Sequence, residues 1–135
     1  MFLLDTMIVS ELRKQRPDAG VEHWLTEQPE HTLFLSVVTL GEIERSIEKK
    51  RAIAPKFVGE LDIWLERLTQ LYADRLLPIT PAIARRWGQL SAQLKHSGAD
   101  LMLAATAHLH NLTVVTRNSD DFQPTGVRII NPYAC

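Results

Sequence analysis

Carboxylates stand at four widely separated places in this chain where an apolar run gives way to polar sequence. Asp5 follows Phe2-Leu3-Leu4 in "MFLLDTMIVSEL", Glu42 lies in "SVVTLGEIERS", Asp100 in "HSGADLMLAATA", and Asp120 and Asp121 follow Asn118 in "VVTRNSDDF". Held close together, such acids repel one another, and a hard divalent cation neutralises that repulsion. Mg²⁺ or Mn²⁺ takes oxygen ligands, usually one or two carboxylates with waters and a substrate phosphate. A cation so placed activates water and stabilises in-line displacement at phosphorus. A carboxylate cleft without His or Cys ligands therefore points to phosphodiester cleavage more than to peptide hydrolysis. Other chemistries lack their residues. The five histidines offer no metal pair, since His108 and His110 are two apart on an expected helix and face different ways. There is no Gly-rich phosphate loop and no serine nucleophile elbow.

The elements that must bring these acids together can be read from the apolar pattern. Short runs rich in Val, Ile, Leu and Thr fit buried strands at Phe2–Leu4, Thr32–Ser36, Arg75–Ile79, Leu112–Thr116 and Val127–Asn131. Between them lie helical stretches. Val9 and Leu12 mark one, Val21, Trp24 and Leu25 a second, and Val38, Ile43 and Ile47 a third. Phe57, Leu61, Trp64, Leu65, Leu68 and Leu71 carry a long one; Ile83, Trp87, Leu90 and Leu94, then Leu101 to Leu109, complete the set. Strands alternating with helices imply a parallel sheet with helices on both faces. The link between the last two strands is short for a full crossover. In such a sheet the strands end, and the helices begin, at one edge, where ligands of open α/β sheets bind. All four acidic segments fall at that edge. The three tryptophans lie on helical apolar stripes and are assigned to core or interface.

Helix capping explains each acid separately. Thr39-x-x-Glu42 and Ser97-x-x-Asp100 match the capping-box pattern, Asp5 suits the cap of the first helix, and Asn118 that of a short turn over Ser119–Phe122. Acids near helix N-termini are also favoured by the macrodipole. Spacing alone leaves cap and site open.

The bulk numbers narrow the setting. The 135 residues are of single-domain size, 1–135, with 45% hydrophobic and 23% charged residues. A net charge of -1 gives no global pull toward nucleic acid, so a polyanion must be met by local basic patches. The single cysteine, Cys135, excludes an internal disulfide framework and a thiolate zinc cage. No signal-peptide pattern and no membrane-span-length apolar run is present, so a cytoplasmic address and no membrane are expected.

The segments "LLDTMIVSEL", "LSVVTLGEIERSI", "ADLMLAATAHLHNLTVVTRNSDDF" and "GVRIINPY" resemble a PIN-domain ribonuclease of the VapC/FitB type, a toxin of bacterial toxin–antitoxin systems. The likeness runs over nearly the whole chain. It implies a three-layer α/β PIN-like fold with a five-stranded, mostly parallel sheet flanked by helices. It also implies a Mg²⁺- or Mn²⁺-dependent endoribonuclease, a hydrolase acting on single-stranded RNA and inhibited by a small cognate antitoxin. A homodimer is expected, and operator DNA would be met only through the antitoxin. By motif, Asp5, Glu42, Asp100 and Asp121 are the catalytic and metal-binding acids, with Asp5 and Asp100 the direct ligands. Thr6, Thr116, Arg117 and Asn118 are supporting or substrate-binding positions. Asp121 is expected rather than Asp120: adjacent side chains on a short helix point about 100° apart, and Phe122 should anchor the turn by burying its ring.

Two departures from the family pattern bear on activity. Met7 stands where relatives usually carry Asn, and Asn118 where many carry an acid; a thioether cannot donate the amide's hydrogen bonds. Candidate RNA-facing cations are Arg13, Lys14 and Arg16, Lys49–Lys50–Arg51, Arg85–Arg86 and Arg117, with Arg117 nearest the expected site. Two further readings stand beside the toxin: a catalytically weak PIN-fold protein-binding module, and a PIN-like nuclease outside a toxin–antitoxin system.

Overall fold

The computed structural model describes residues 1–133; Cys135, on which the disulfide expectation rests, lies outside them. Among these residues five strands, β1 (Phe2–Leu4), β2 (Leu33–Ser36), β3 (Leu76–Leu77), β4 (Thr113–Val115) and β5 (Ile129–Ile130), form one sheet in the order β3-β2-β1-β4-β5. Every pairing is parallel, with Phe2 of β1 opposite Leu33 on one side and Thr113 on the other. Both edge strands are two residues long, shorter than the apolar runs suggest. Arg75 belongs to a 3-10 turn, Ala73–Arg75, before β3. Short edges leave little unpaired backbone to attract another chain.

Among the described residues, seven helices flank the sheet: α1 (Thr6–Glu11), α2 (Ala19–Glu27), α3 (Val37–Ile53), α4 (Gly59–Leu71), α5 (Pro81–Leu94), α6 (Ala99–His110) and α7 (Ser119–Phe122). Strand side chains alternate between faces, and this divides the core. Leu4, Leu35 and Val115 face a cluster built on Ile8 and Val9 of α1, Val21 of α2, Ile43 and Ile47 of α3, and Leu68 of α4. Leu3 and Val114 face the opposite cluster, made by Ile83 and Leu90 of α5, Leu101 to Ala107 of α6, and Phe122 of α7. Three layers result, and burial on both faces explains why the strands read as unbroken apolar runs.

The long stripe on α4 begins later than its apolar spacing predicts. Pro55–Phe57 forms a 3-10 turn and leaves Phe57 71% exposed, so that residue is not part of the buried stripe. Trp24 and Trp64 pack half-buried against the first cluster and Trp87 against the second, as assigned from the sequence. The short link from β4 to β5 is a compact crossover, α7 followed by the 3-10 turn Gln123–Thr125, which still delivers β5 parallel to β4.

Candidate active site

β1 lies at the centre of the sheet, between β2 and β4, and Asp5 is the first residue beyond it. Its backbone N–H donates to Val115 O at 3.0 Å, so the sheet ladder fixes its main chain. Its carboxylate caps α1, accepting from the Thr6 N–H at 2.8 Å through Oδ1. The other oxygen, Oδ2, accepts from Thr116 Oγ1 at 2.8 Å. Thr116, fully buried just past β4, in turn accepts the Asn118 N–H at 2.9 Å. Cap and site are thus not alternatives at position 5: one oxygen serves the helix and the other joins a polar chain at the end of the neighbouring strand.

Glu42 approaches from α3. The helix is capped not by the Thr39 capping box but by Ser36, whose hydroxyl accepts the Val38 N–H at 3.0 Å. Ser36 ends β2 with extended φ and ψ, as an N-cap requires. The helix therefore starts early enough to bury Thr39 and to place Glu42 in its second turn, where Oε1 accepts from Thr6 Oγ1 at 2.7 Å. Ser97 likewise is not the cap of α6. Gly98 holds that position with no side-chain bond, leaving Asp100 in the first turn without a capping role. Asn118 occupies the N-cap position of α7 but makes no side-chain cap bond there; its amide nitrogen donates to Met7 Sδ at 3.5 Å instead.

Asp5, Thr6, Glu42, Asp100 and Asn118 line one cleft of about 290 Å³ together with Met7, Arg45, Ser46 and Lys49. Burial pushes the Asp5 carboxyl up to about 6; the Thr116 and Thr6 hydrogen bonds oppose the rise, and the negative charges of Asp100 and Glu42 add to it. Burial also raises Asp100, with Asp121 and then Glu42 adding to the effect and His96 opposing it. Asp121 therefore acts on Asp100 through space, and Asp120 is not among the groups that do so. Both aspartates of α7 line a neighbouring hollow with Arg117, Asn118, Ser119 and Asn131, and Asn118 is common to the two spaces. Phe122 is fully buried and anchors the turn.

Arg117 does not enter the acidic cleft. Its guanidinium lies 4.9 Å from the ring centre of Tyr133. Tyr133 also donates to Glu11 Oε2 at 3.3 Å, tying residues beyond β5 to the end of α1. Sequence reasoning missed two cleft cations, singling out Lys49 only as part of a basic run and Arg45 not at all. Their signal was available: positions 42, 45 and 49 are three and four apart and share one helix face.

The donor set suits a hard cation. Among the described residues no His or Cys lines the cleft, and its acids offer oxygen only. Among the described residues, no three His, Cys, Asp or Glu side chains stand close enough to hold an ion as a closed cage. One or two carboxylates completed by waters and substrate is the arrangement Mg²⁺ ordinarily accepts.

A central parallel strand ending in an aspartate, with acids from two helix starts around it, defines a PIN-type α/β architecture, and the PIN-domain family model matches residues 2–126. Among proteins of similar sequence, a VapC ribonuclease of Sinorhizobium fredii is 36% identical over 138 residues, covering 98% of each chain. Toxin FitB of Neisseria gonorrhoeae is 32% identical over 143 residues, covering 98% of this chain and 99% of its own. The structure of FitAB bound to an IR36 DNA fragment superposes with a TM-score of 0.82 at 30% identity, covering 100% of this chain and 97% of the matched one. The chain belongs to the PIN-domain family, among the VapC/FitB-type proteins of bacterial toxin–antitoxin systems. Among the described residues, no helix is long and apolar enough to cross a membrane.

Proposed function

We propose that this protein is an endoribonuclease toxin that depends on Mg²⁺ or Mn²⁺ and cleaves single-stranded regions of RNA in the cytoplasm. It works as a homodimer, is silenced by a small cognate antitoxin, and meets operator DNA only through that antitoxin. The observation that carries the reading is the accumulation of like charge in one cleft at the sheet edge, lined by Asp5, Glu42 and Asp100: the charges of Asp100 and Glu42 disfavour ionisation of Asp5, and those of Asp121 and Glu42 disfavour ionisation of Asp100. A cleft of this kind gains most from a divalent cation, and the relatives named a ribonuclease and a toxin match over nearly their full length.

Asp5 and Asp100 would hold the cation, with Glu42 and Asp121 completing the acidic surround. When bound, it supplies neutralisation of the substrate phosphate and activation of water for attack at phosphorus. The chain's own groups do the positioning. Thr116 and the Thr6 N–H hold the two oxygens of Asp5 at set angles. The Thr6 hydroxyl engages one oxygen of Glu42 and so fixes where that carboxylate meets the cleft. Asn118 borders both the cleft and the α7 hollow, where it can meet substrate.

A second reading, a catalytically weak PIN-fold binding module, draws on one contact: the Asn118 amide is turned onto the Met7 thioether, a weak acceptor. Mapping RNA 5′ ends after controlled expression separates the two. New discrete ends with the wild-type chain and none with Asp100→Asn are expected. Identical ends in both strains would overturn the nuclease reading. A PIN-like nuclease outside a toxin–antitoxin system would give new ends but no growth arrest that a co-expressed neighbouring gene relieves.

A further inference from the structure

Several basic side chains of this protein are engaged within the fold, and those that are not are set apart by where they lie. Arg51 bridges Glu48 and Asp62, and Arg75 ties the backbone before β2 to the end of α4. Arg128 holds Asn111, Lys14 pairs with Glu11, Arg13 lies over Trp64 and Arg117 over Tyr133. Arg45 and Lys49 are different. Both are exposed, both line the acidic cleft, and among the described residues neither makes a hydrogen bond or ion pair. They follow Glu42 on the same face of α3, about 4.5 and 10.5 Å further along the helix axis at 1.5 Å per residue.

The arrangement leaves two unpaired cations in one cleft with three carboxylates, Asp5, Glu42 and Asp100, where an exposed internal ion pair would gain little once lost side-chain entropy is counted. It makes sense if their partner comes from outside and carries its own negative charge along a line. We infer that Arg45 and Lys49 form a phosphate-tracking ridge that seats the nucleotides flanking the scissile bond of a single-stranded polynucleotide. This rests on the nuclease reading above and adds to it a direction. The strand leaves the acids along α3 toward the helix C-terminus, not over Arg117 toward β5. The ridge also explains how a chain with a net charge of -1 holds a polyanion against an acidic cleft: the attraction is local. Arg45 and Lys49 are binding residues that act on the sugar–phosphate backbone, and their contribution is independent of base sequence.

The test uses the full-length chain carrying Asp100→Asn to keep substrate intact, with a short fluorescently labelled single-stranded RNA and Mg²⁺. Affinity is measured across a salt series for this parent, for Arg45→Gln/Lys49→Gln in the same background, and for Arg85→Gln as a control. Arg85, one of the basic positions that sequence alone offers for RNA, lines a hollow near the C-terminal end of α6, the opposite end from Asp100, and so lies off the proposed path. Each lost phosphate contact lowers the slope of log affinity against log salt by about 0.7 for single strands, so the pair should lower it by about 1.4. Equivalently, the advantage of the parent over the double variant shrinks by roughly sevenfold between 50 and 200 mM salt. Arg85→Gln should leave the slope unchanged. In the otherwise wild-type enzyme, the double variant should raise KM and leave kcat nearly unchanged. An unchanged slope with an altered melting temperature would show that the two cations only balance the acids, and would overturn the ridge while leaving the nuclease reading standing. A wild-type chain that neither binds nor cleaves single-stranded RNA would overturn both.

Discussion

Replacing Asp5 by Asn should stabilise this protein at neutral pH when no divalent cation is bound. The carboxyl is 5% exposed and pushed from an ordinary value of 3.8 up to about 6. Its folded-state pKa is raised, so between those two values the folded chain holds more protons than the unfolded one, and stability falls as pH rises through that window. Above pH 6 the penalty is complete. A rise of about two units at 1.36 kcal/mol each corresponds to about 3 kcal/mol. Asn keeps an oxygen to accept the Thr6 N–H, but its amide faces the Thr116 hydroxyl as a donor. That hydroxyl already accepts from Asn118, so its own proton loses its acceptor, at a cost of about 1 kcal/mol. The net gain at pH 7.5 is about 2 kcal/mol, and near pH 4 the variant should be equal to or slightly weaker than wild type. Urea unfolding of both proteins in EDTA, repeated from pH 4 to 8, measures the difference directly and isolates Asp5 from the other carboxylates. Saturating Mg²⁺ should then stabilise wild type alone and close the gap. A variant less stable than wild type at pH 7.5 in EDTA, or a difference that does not move with pH, would refute the reasoning.

Thr116→Val removes the donor to Asp5 and the acceptor of the Asn118 N–H without changing shape; unfolding measurements at pH 7.5 should show a loss of about 1–3 kcal/mol, and RNA cleavage should fall with it. At limiting Mn²⁺, Asp121→Asn should reduce cleavage more than Asp120→Asn, because Asp121 is the residue of α7 whose charge acts on Asp100; a larger loss at Asp120 would reverse the assignment. Light scattering of the purified chain should report a homodimer at micromolar concentration, and a monomer would remove that claim.

The sheet was legible because strands buried on both faces leave continuous apolar runs, and Asp5 was legible because it interrupts one. The ends of the outer strands were not. Arg75 and Val127 look like strand residues by composition, but tight turns at Ala73–Arg75 and at Gly126, with φ at +81°, shorten β3 and β5. Capping was misplaced for a related reason. Ser36 and Thr39 both suit an N-cap, and only the point where β2 leaves the sheet decides between them. At the site, the acids could be listed from their segments, but the direction of side chains around them could not. Arg117 borders the acids in sequence and turns to Tyr133; Arg45 and Lys49 belong to an unremarkable helix face and line the cleft. Such choices depend on contacts between residues far apart in the chain, here Thr6 with Glu42, Asp5 with Thr116 and Glu11 with Tyr133.

The central claim is that the carboxylates around Asp5 hold a divalent cation for cleavage of RNA. Its most direct test incubates purified wild-type protein, Asp5→Asn and Asp100→Asn with single-stranded RNA, with Mn²⁺ or Mg²⁺ and with EDTA. Cleavage by wild type with either cation, abolished by EDTA and lost in both folded variants, is the predicted result. Cleavage that persists in EDTA, or full activity in Asp5→Asn, would contradict it.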